Sequence, residues 1–302
     1  MNSKLLGMLI ALSLLVCARA FALDAATAPT QFIQVEGVKI GYRDVGNGAP
    51  LVLITRMRGT LDTWDPLFLD ELAKRNRIIP VDFPGVGYSS GKLPAGIGEA
   101  ASFVIAFADA MKLDRFVLMG WSWGGTVAQT VVVDHPGRVT HAILVATAPP
   151  GKNPVAIQQA FLDRAFKPVN DLDDETVLFF DPRYQVRRDA AKASRDRIYA
   201  RASVTARIPS AEAEIKAYLA AATQYHEDRQ GRRDKLLATH IPLLIISGDN
   251  DISTAVDNWF ALNQKIPNAH LVVFPQSGHA PQHQYPELAA LQVAAFLRHA
   301  IR

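Results

Sequence analysis

Short apolar runs of strand length alternate along the chain with longer stretches whose apolar residues recur at helical spacing. Two β-type runs at 31–35 and 38–43 flank Glu36-Gly37 and predict a hairpin. The run at 51–54 (LVLI) has no polar position, which marks a strand buried on both faces. A helical pattern at 64–74 leads to a strand at 77–81 (RIIPV), where Pro80 is a flaw in the pattern. There follow a helix at 97–111, a strand at 116–119 (FVLM), a helix at 124–133 stopped by His135-Pro136, and a strand at 142–145 (AILV) closed by Pro149-Pro150. This alternation predicts an α/β fold, a mostly parallel central sheet with helices on both faces.

The rhythm breaks at residue 151. Through 238 no buried strand is legible, and charged, Ala-rich helical stretches such as 187–201 and 211–225 take over. It resumes with a strand at 242–247 (PLLIIS), a helix near 254–264, a strand at 270–274 (HLVVF) and a closing helix at 286–300, with Pro286 in its first turn. The expected organisation is an α/β core in two parts, 23–150 and 239–302, interrupted by a helical insertion at 151–238. Ahead of the core, Lys4 precedes an uncharged apolar run at 5–18, and the small-x-small sites Ala18-Arg19-Ala20 and Ala20-Phe21-Ala22 follow it. The run is shorter than the roughly 20 residues of a membrane helix, so 1–22 reads as a signal peptide cleaved after Ala22, with an uncleaved anchor as the competing reading.

Composition narrows the function classes. The 302 residues are 49% hydrophobic and 20% charged, the balance of a globular domain. With 32 Lys+Arg against 29 Asp+Glu and no basic tract, nucleic acid is not an expected partner. The single cysteine, Cys17, excludes a disulfide framework and a cysteine-rich zinc site. It lies in the segment expected to be removed, and a thiol-free chain suits export to the periplasm or beyond. No cofactor or metal is expected; the acidic run at 171–175 reads as solvated loop carboxylates.

The strongest chemical signal is Gly120-Trp121-Ser122-Trp123-Gly124, followed by Gly125, between a strand and a helix. A G-x-S-x-G turn in that context lifts a serine hydroxyl off the sheet, while small residues let strand and helix approach. A serine needs a base, and the base needs an orienting acid. Gly248-Asp249-Asn250-Asp251 and Gly278-His279 each follow a strand, at the sheet edge where Ser122 lies and where open parallel sheets hold ligands.

These residues, with the hairpin, the LVLI strand, VDFPGVGYSS and FPQSGH in the same order, resemble the α/β-hydrolase superfamily from about residue 31 to the C-terminus. The resemblance implies a Ser122–Asp251–His279 triad, with Asp249 the rival acid and His283 at the surface or pocket rim. It also implies an oxyanion hole from the backbone N–H groups of Trp123 and Met57. Where the family commonly has His-Gly, this chain has Thr55-Arg56, so the flexible glycine is replaced by an arginine. Arg56 and Arg58 are therefore candidates for a substrate carboxylate or carbonyl, the competing role being pairing with Asp62 or Asp82. Trp123 is expected to wall one side of the pocket, Trp121 to pack behind the turn, and Phe161, Phe166, Phe179 and Phe180 are candidate lid residues lining it. The function implied is ester hydrolysis of small or medium apolar substrates by an acyl-enzyme route. Lactone hydrolysis, perhydrolysis and ligand binding without turnover are the alternatives.

Overall fold

The computed structural model describes residues 24–299, so the signal-peptide reading of 1–22 and Cys17 lie outside the described residues. A hairpin of β1 (Gln31–Val35) and β2 (Val38–Tyr42) stands apart as an antiparallel pair. Among the described residues, bridges from Tyr42 to Val81 and, just after the hairpin, from Val45 to Ile78 tie it to the main sheet. The main sheet consists of β3 (Ala49–Ile54), β4 (Asn76–Pro80), β5 (Phe116–Trp121), β6 (Val139–Val145), β7 (Leu243–Gly248) and β8 (Ala269–Phe274). They lie in the order β4-β3-β5-β6-β7-β8, and every neighbouring pair is parallel. Pro80 is tolerated because β4 is an edge strand.

Parallel strands need crossovers, and the crossover helices bury both faces. In β3, Val52 and Ile54 enter one core with Val104 and Phe107 of α2 (Ile97–Ala110) and Val127 and Val131 of α3 (Trp123–Asp134). Leu51 and Leu53 enter the other with Phe68 and Leu72 of α1 (Pro66–Ala73). All four β3 side chains are fully buried, each stabilising the fold by about 1.5–3 kcal/mol.

Between β6 and β7 the chain forms helices only: α4 (Gln159–Ala165), α5 (Leu172–Phe179), α6 (Gln185–Tyr199), α7 (Val204–Arg207), α8 (Glu212–Glu227) and α9 (Arg232–Leu237). After β7, the helix expected near 254–264 is reduced to α10 (Asp257–Phe260). Val256, Trp259, Leu262 and Ile266 are buried at helix-like intervals, but Gln264 takes a left-handed φ of 64° that ends regular winding. The short α11 (Pro281–Gln284) and then α12 (Pro286–His299) complete the chain, α12 packing beside α1. The chain runs from β3 outward to β4 and then returns to β5 on the other side of β3. The carboxyl ends of β3 and β5 therefore flank a topological switch point, where such sheets open a crevice.

Candidate active site

Ser122 joins β5 to α3 at φ 55° and ψ −118°, a conformation that costs a non-glycine residue of order 1–3 kcal/mol. The neighbouring glycines make it possible. A Cβ on Gly120 would lie 2.3 Å from the Gly124 carbonyl oxygen, and one on Gly124 would lie 2.5 Å from those of Ile54 and Thr55. The strained turn holds the serine above the sheet edge, with its N–H donating to Val145 O at 2.8 Å.

The loops after β7 and β8 bring Asp251 and His279 to it. Ser122 Oγ is 2.7 Å from His279 Nε2, and His279 Nδ1 is 2.8 and 3.0 Å from the two Asp251 oxygens. Asp251 also accepts from the Ser253 and Thr254 backbone N–H groups and from Thr254 Oγ1. Burial pushes its carboxyl up, but the electrostatic interaction and hydrogen bond with His279 and the two backbone donors outweigh this and hold it below the usual carboxylate range. An ionised Asp251 can only accept, which assigns the proton to His279 Nδ1 and leaves Nε2 to accept from Ser122 Oγ–H. Asp249 stays apart, accepting from Ser277 N at 3.0 Å.

A cavity of about 180 Å³ opens over Ser122 and His279. Met57 and Trp123 line it, and among the described residues neither of their backbone N–H groups donates to a protein acceptor. The Trp123 ring forms one wall, wedged edge-on between Phe83 and Tyr218. Phe161, Phe166 and Phe179 face the cavity, Phe161 lying edge-on to His279 with ring centres 5.2 Å apart, whereas Phe180 does not. Trp121 is buried behind the turn and donates from Nε1 to His279 O at 2.7 Å, so it holds the histidine loop as well as packing.

A family model described as the alpha/beta hydrolase fold matches residues 49–286. The chain belongs to the α/β-hydrolase family. A pimeloyl-[acyl-carrier protein] methyl ester esterase of Nitrosomonas europaea is 28% identical over 260 residues, covering 82% of this hydrolase-family chain and 95% of that protein. A dihydrolipoyllysine-residue acetyltransferase component of an acetoin cleaving system from Pseudomonas putida is 30% identical over 91% of the chain and 71% of its own length. Among solved structures, an alpha/beta hydrolase fold protein from Chitinophaga pinensis superimposes with a TM-score of 0.80 at 29% identity, covering 91% of this chain and 98% of that one.

In this α/β hydrolase the arginines after β3 do not pair with Asp62 or Asp82. Asp62 is taken by Arg43 and Tyr88, and Asp82 by the N–H groups of Leu61 and Tyr88. Arg58, the other candidate for substrate contact, lines the cavity as well, but most of its donors are occupied. Its guanidinium donates to the carbonyls of Pro209, Ala165, Lys167 and Pro168 at 2.7–2.8 Å, using four of its five N–H donors. Arg58 is thus a latch between the β3 loop and the helical insertion, one residue from Met57. Arg58→Ala is expected to destabilise the protein by about 3 kcal/mol, since charge-assisted bonds are lost and buried carbonyls left unmet. Limited proteolysis should cut the variant within 159–210 well before the core, and a wild-type digestion pattern would count against the latch.

Arg56 does reach the cavity. Its guanidinium stacks on Phe179 and Trp121, with centroid distances of 4.6 and 5.3 Å, and Nη1 donates to Met57 O at 3.0 Å. Burial pulls its pKa down from the ordinary arginine value. The acidic run at 171–175 also departs from the solvated reading. Asp171 caps α5, Asp174 is paired with Lys167, and Glu175 is buried and lines the cavity. Acidity alone carried no signal of this, because a helix's first turn favours carboxylates wherever it points.

His283 is not at the rim. It is 3% exposed, its ring 4.7 Å from that of Trp121, and Nε2 accepts from Asp65 N at 3.2 Å. Burial, only partly opposed by Asp65 and reinforced by Arg56 and Arg197, lowers its pKa to about 4. Its contribution to stability is therefore full above its ordinary value of 6.5 and is lost as pH falls to about 4. Relative to His283→Gln, the wild type should lose about 3 kcal/mol across that window, measured by urea unfolding. Comparing the two removes Asp82, whose pKa, raised by burial to about 7, acts in the opposite sense in both proteins. Parallel pH profiles would refute the assignment.

Proposed function

We propose that this protein is a serine hydrolase that cleaves carboxylic esters of small or medium acids through an acyl-enzyme. The observation that carries the reading is the unbroken hydrogen-bonded chain from Ser122 through His279 to Asp251 on the floor of an aromatic-walled cavity. His279 takes the Ser122 proton as Oγ attacks the ester carbonyl carbon, and Asp251 keeps the imidazole in the receptive tautomer and stabilises the imidazolium. The N–H groups of Trp123 and Met57 receive the developing oxyanion, each worth about 3–4 kcal/mol in such sites. The imidazolium then protonates the departing alkoxide. A water deprotonated by His279 attacks the acyl-enzyme, and the acid leaves as Ser122 recovers its proton.

The helices between β6 and β7 act as a lid that excludes bulk water from this chemistry. Segment 1–22 directs export, and no helix among the described residues is long and apolar enough to cross a membrane. The Nitrosomonas europaea relative, named as a methyl ester esterase, supports an ester as the bond cleaved. A fluorophosphonate probe should label the purified protein and fail to label Ser122→Ala, and short-chain aryl esters should be turned over. A folded wild type that neither labels nor cleaves any ester would overturn the reading in favour of a binding protein.

A further inference from the structure

We propose that the cavity selects esters whose acyl chain ends in a second, ionised carboxylate, which Arg56 binds while Arg195 neutralises Glu175. The inference rests on the ester-hydrolase reading and names the substrate class for it.

The cavity over Ser122 is lined mainly by apolar side chains, yet Arg56, Glu175, Arg195 and Tyr199 form a charged wall in it. Those four residues also line an adjoining recess of about 20 Å³ from which Ser122 and His279 are absent. Charges are expensive in an apolar cavity unless paired, so the pairing decides what the wall is for. Glu175 is already engaged at both oxygens. Tyr199 Oη donates to Oε1 at 2.5 Å, and Arg195 Nη1 lies 2.6 Å from Oε2 as an ion pair without hydrogen-bond alignment. Arg56 is not so engaged. Among the described residues no carboxylate comes within 4.0 Å of its guanidinium, and its buried Nε has no partner. Its plane is nevertheless fixed by Phe179 and Trp121 and by the bond to Met57 O. Arg58, the remaining cation in the lining, has spent four of its five donors on the carbonyls of the insertion.

The wall thus carries one more cation than anion, and the surplus cation is a rigid, under-bonded guanidinium. A planar fork of that kind matches a carboxylate in two parallel hydrogen bonds. The volume fits a short chain: an apolar cavity of about 150 Å³ takes benzene, and this one is somewhat larger. Trp121, which packs under Arg56, directly precedes Ser122, and Met57, which follows Arg56, lines the cavity beside it. A ligand gripped at Arg56 is therefore held by the same two segments that frame the nucleophile.

The test compares monomethyl glutarate and monomethyl adipate with methyl pentanoate and methyl hexanoate, pairs matched in length that differ in the terminal carboxylate. The full chain less its signal segment should show a kcat/KM ratio favouring the anionic esters by at least about tenfold. Arg56→Gln should lower that ratio by about 10–100-fold, Arg56→Lys should retain part of it, and Glu175→Gln should raise it. Opposite shifts from two neighbouring substitutions are not produced by misfolding, which lowers both substrates together. Turnover of the neutral esters with a ratio at or below one, or a ratio indifferent to Arg56→Gln, overturns this proposal and leaves the ester-hydrolase reading standing. No turnover of any ester, with Ser122 unlabelled by fluorophosphonate, overturns both.

Discussion

Ser122→Ala is expected to lower kcat on a short-chain ester by a factor of about 10⁵ to 10⁶ while changing KM little, the size of effect seen when the nucleophile of a triad is removed. The physical reason is local. Oγ is the atom 2.7 Å from His279 Nε2, and alanine deletes that atom alone. The strain at φ 55° is common to serine and alanine, and the close packing of Gly120 and Gly124 is untouched. Thermal stability should therefore stay near that of the wild type, which separates lost chemistry from lost fold. Single-turnover kinetics and thermal unfolding on the same preparation check both halves. Residual activity within tenfold of the wild type would mean that another group attacks the substrate.

Asp251→Asn should cost about 10⁴-fold in kcat, and Asp249→Asn less than a few-fold. The Asp251 carboxylate accepts from His279 Nδ1–H at 2.8 Å. An amide nitrogen at that position donates instead and moves the imidazole proton to Nε2, where it blocks acceptance from Ser122. Asp249 accepts a single hydrogen bond, from Ser277 N, and an asparagine oxygen serves equally well. Steady-state kinetics of the two variants side by side distinguish the acids. Equal losses at 249 and 251 would refute the assignment of distinct roles.

Much of this was legible in the chain because the relevant signals are local. Each of β3, β5, β6 and β7 contains an apolar run, since a strand covered on both faces has no solvent side to keep polar, whereas the edge strand β8 is only half-buried. The geometry of Ser122 is encoded within six residues, 120–125, because the clashes that require glycine are set by atoms of the turn and of the adjoining strand ends. Asp251 and His279 could be nominated from their places after strands. Their approach to Ser122 followed once those strands were taken as parallel, because parallel strands end on one edge. The solvated reading failed at Asp174 and Glu175 for the complementary reason: which way a short helix turns is set by what packs against it.

Strand pattern, the serine turn and the order of the strand-end motifs are thus determined by residue types and their spacing, and they suffice to identify the fold. The shape and charge of the cavity were decided by tertiary structure. Arg58 is latched by backbone carbonyls of residues 165–209, more than a hundred positions away, and a carbonyl is presented by every residue whatever its side chain. His283 is buried and neutral because Trp64, Trp121 and the Asp65 backbone N–H meet around it, and nothing in Pro-Gln-His-Gln marks that enclosure. Arg56 and Glu175 share one cavity wall only because the insertion folds back over the end of β3. Contacts of this kind depend on where remote segments stop in space, so they leave no periodic trace in the chain.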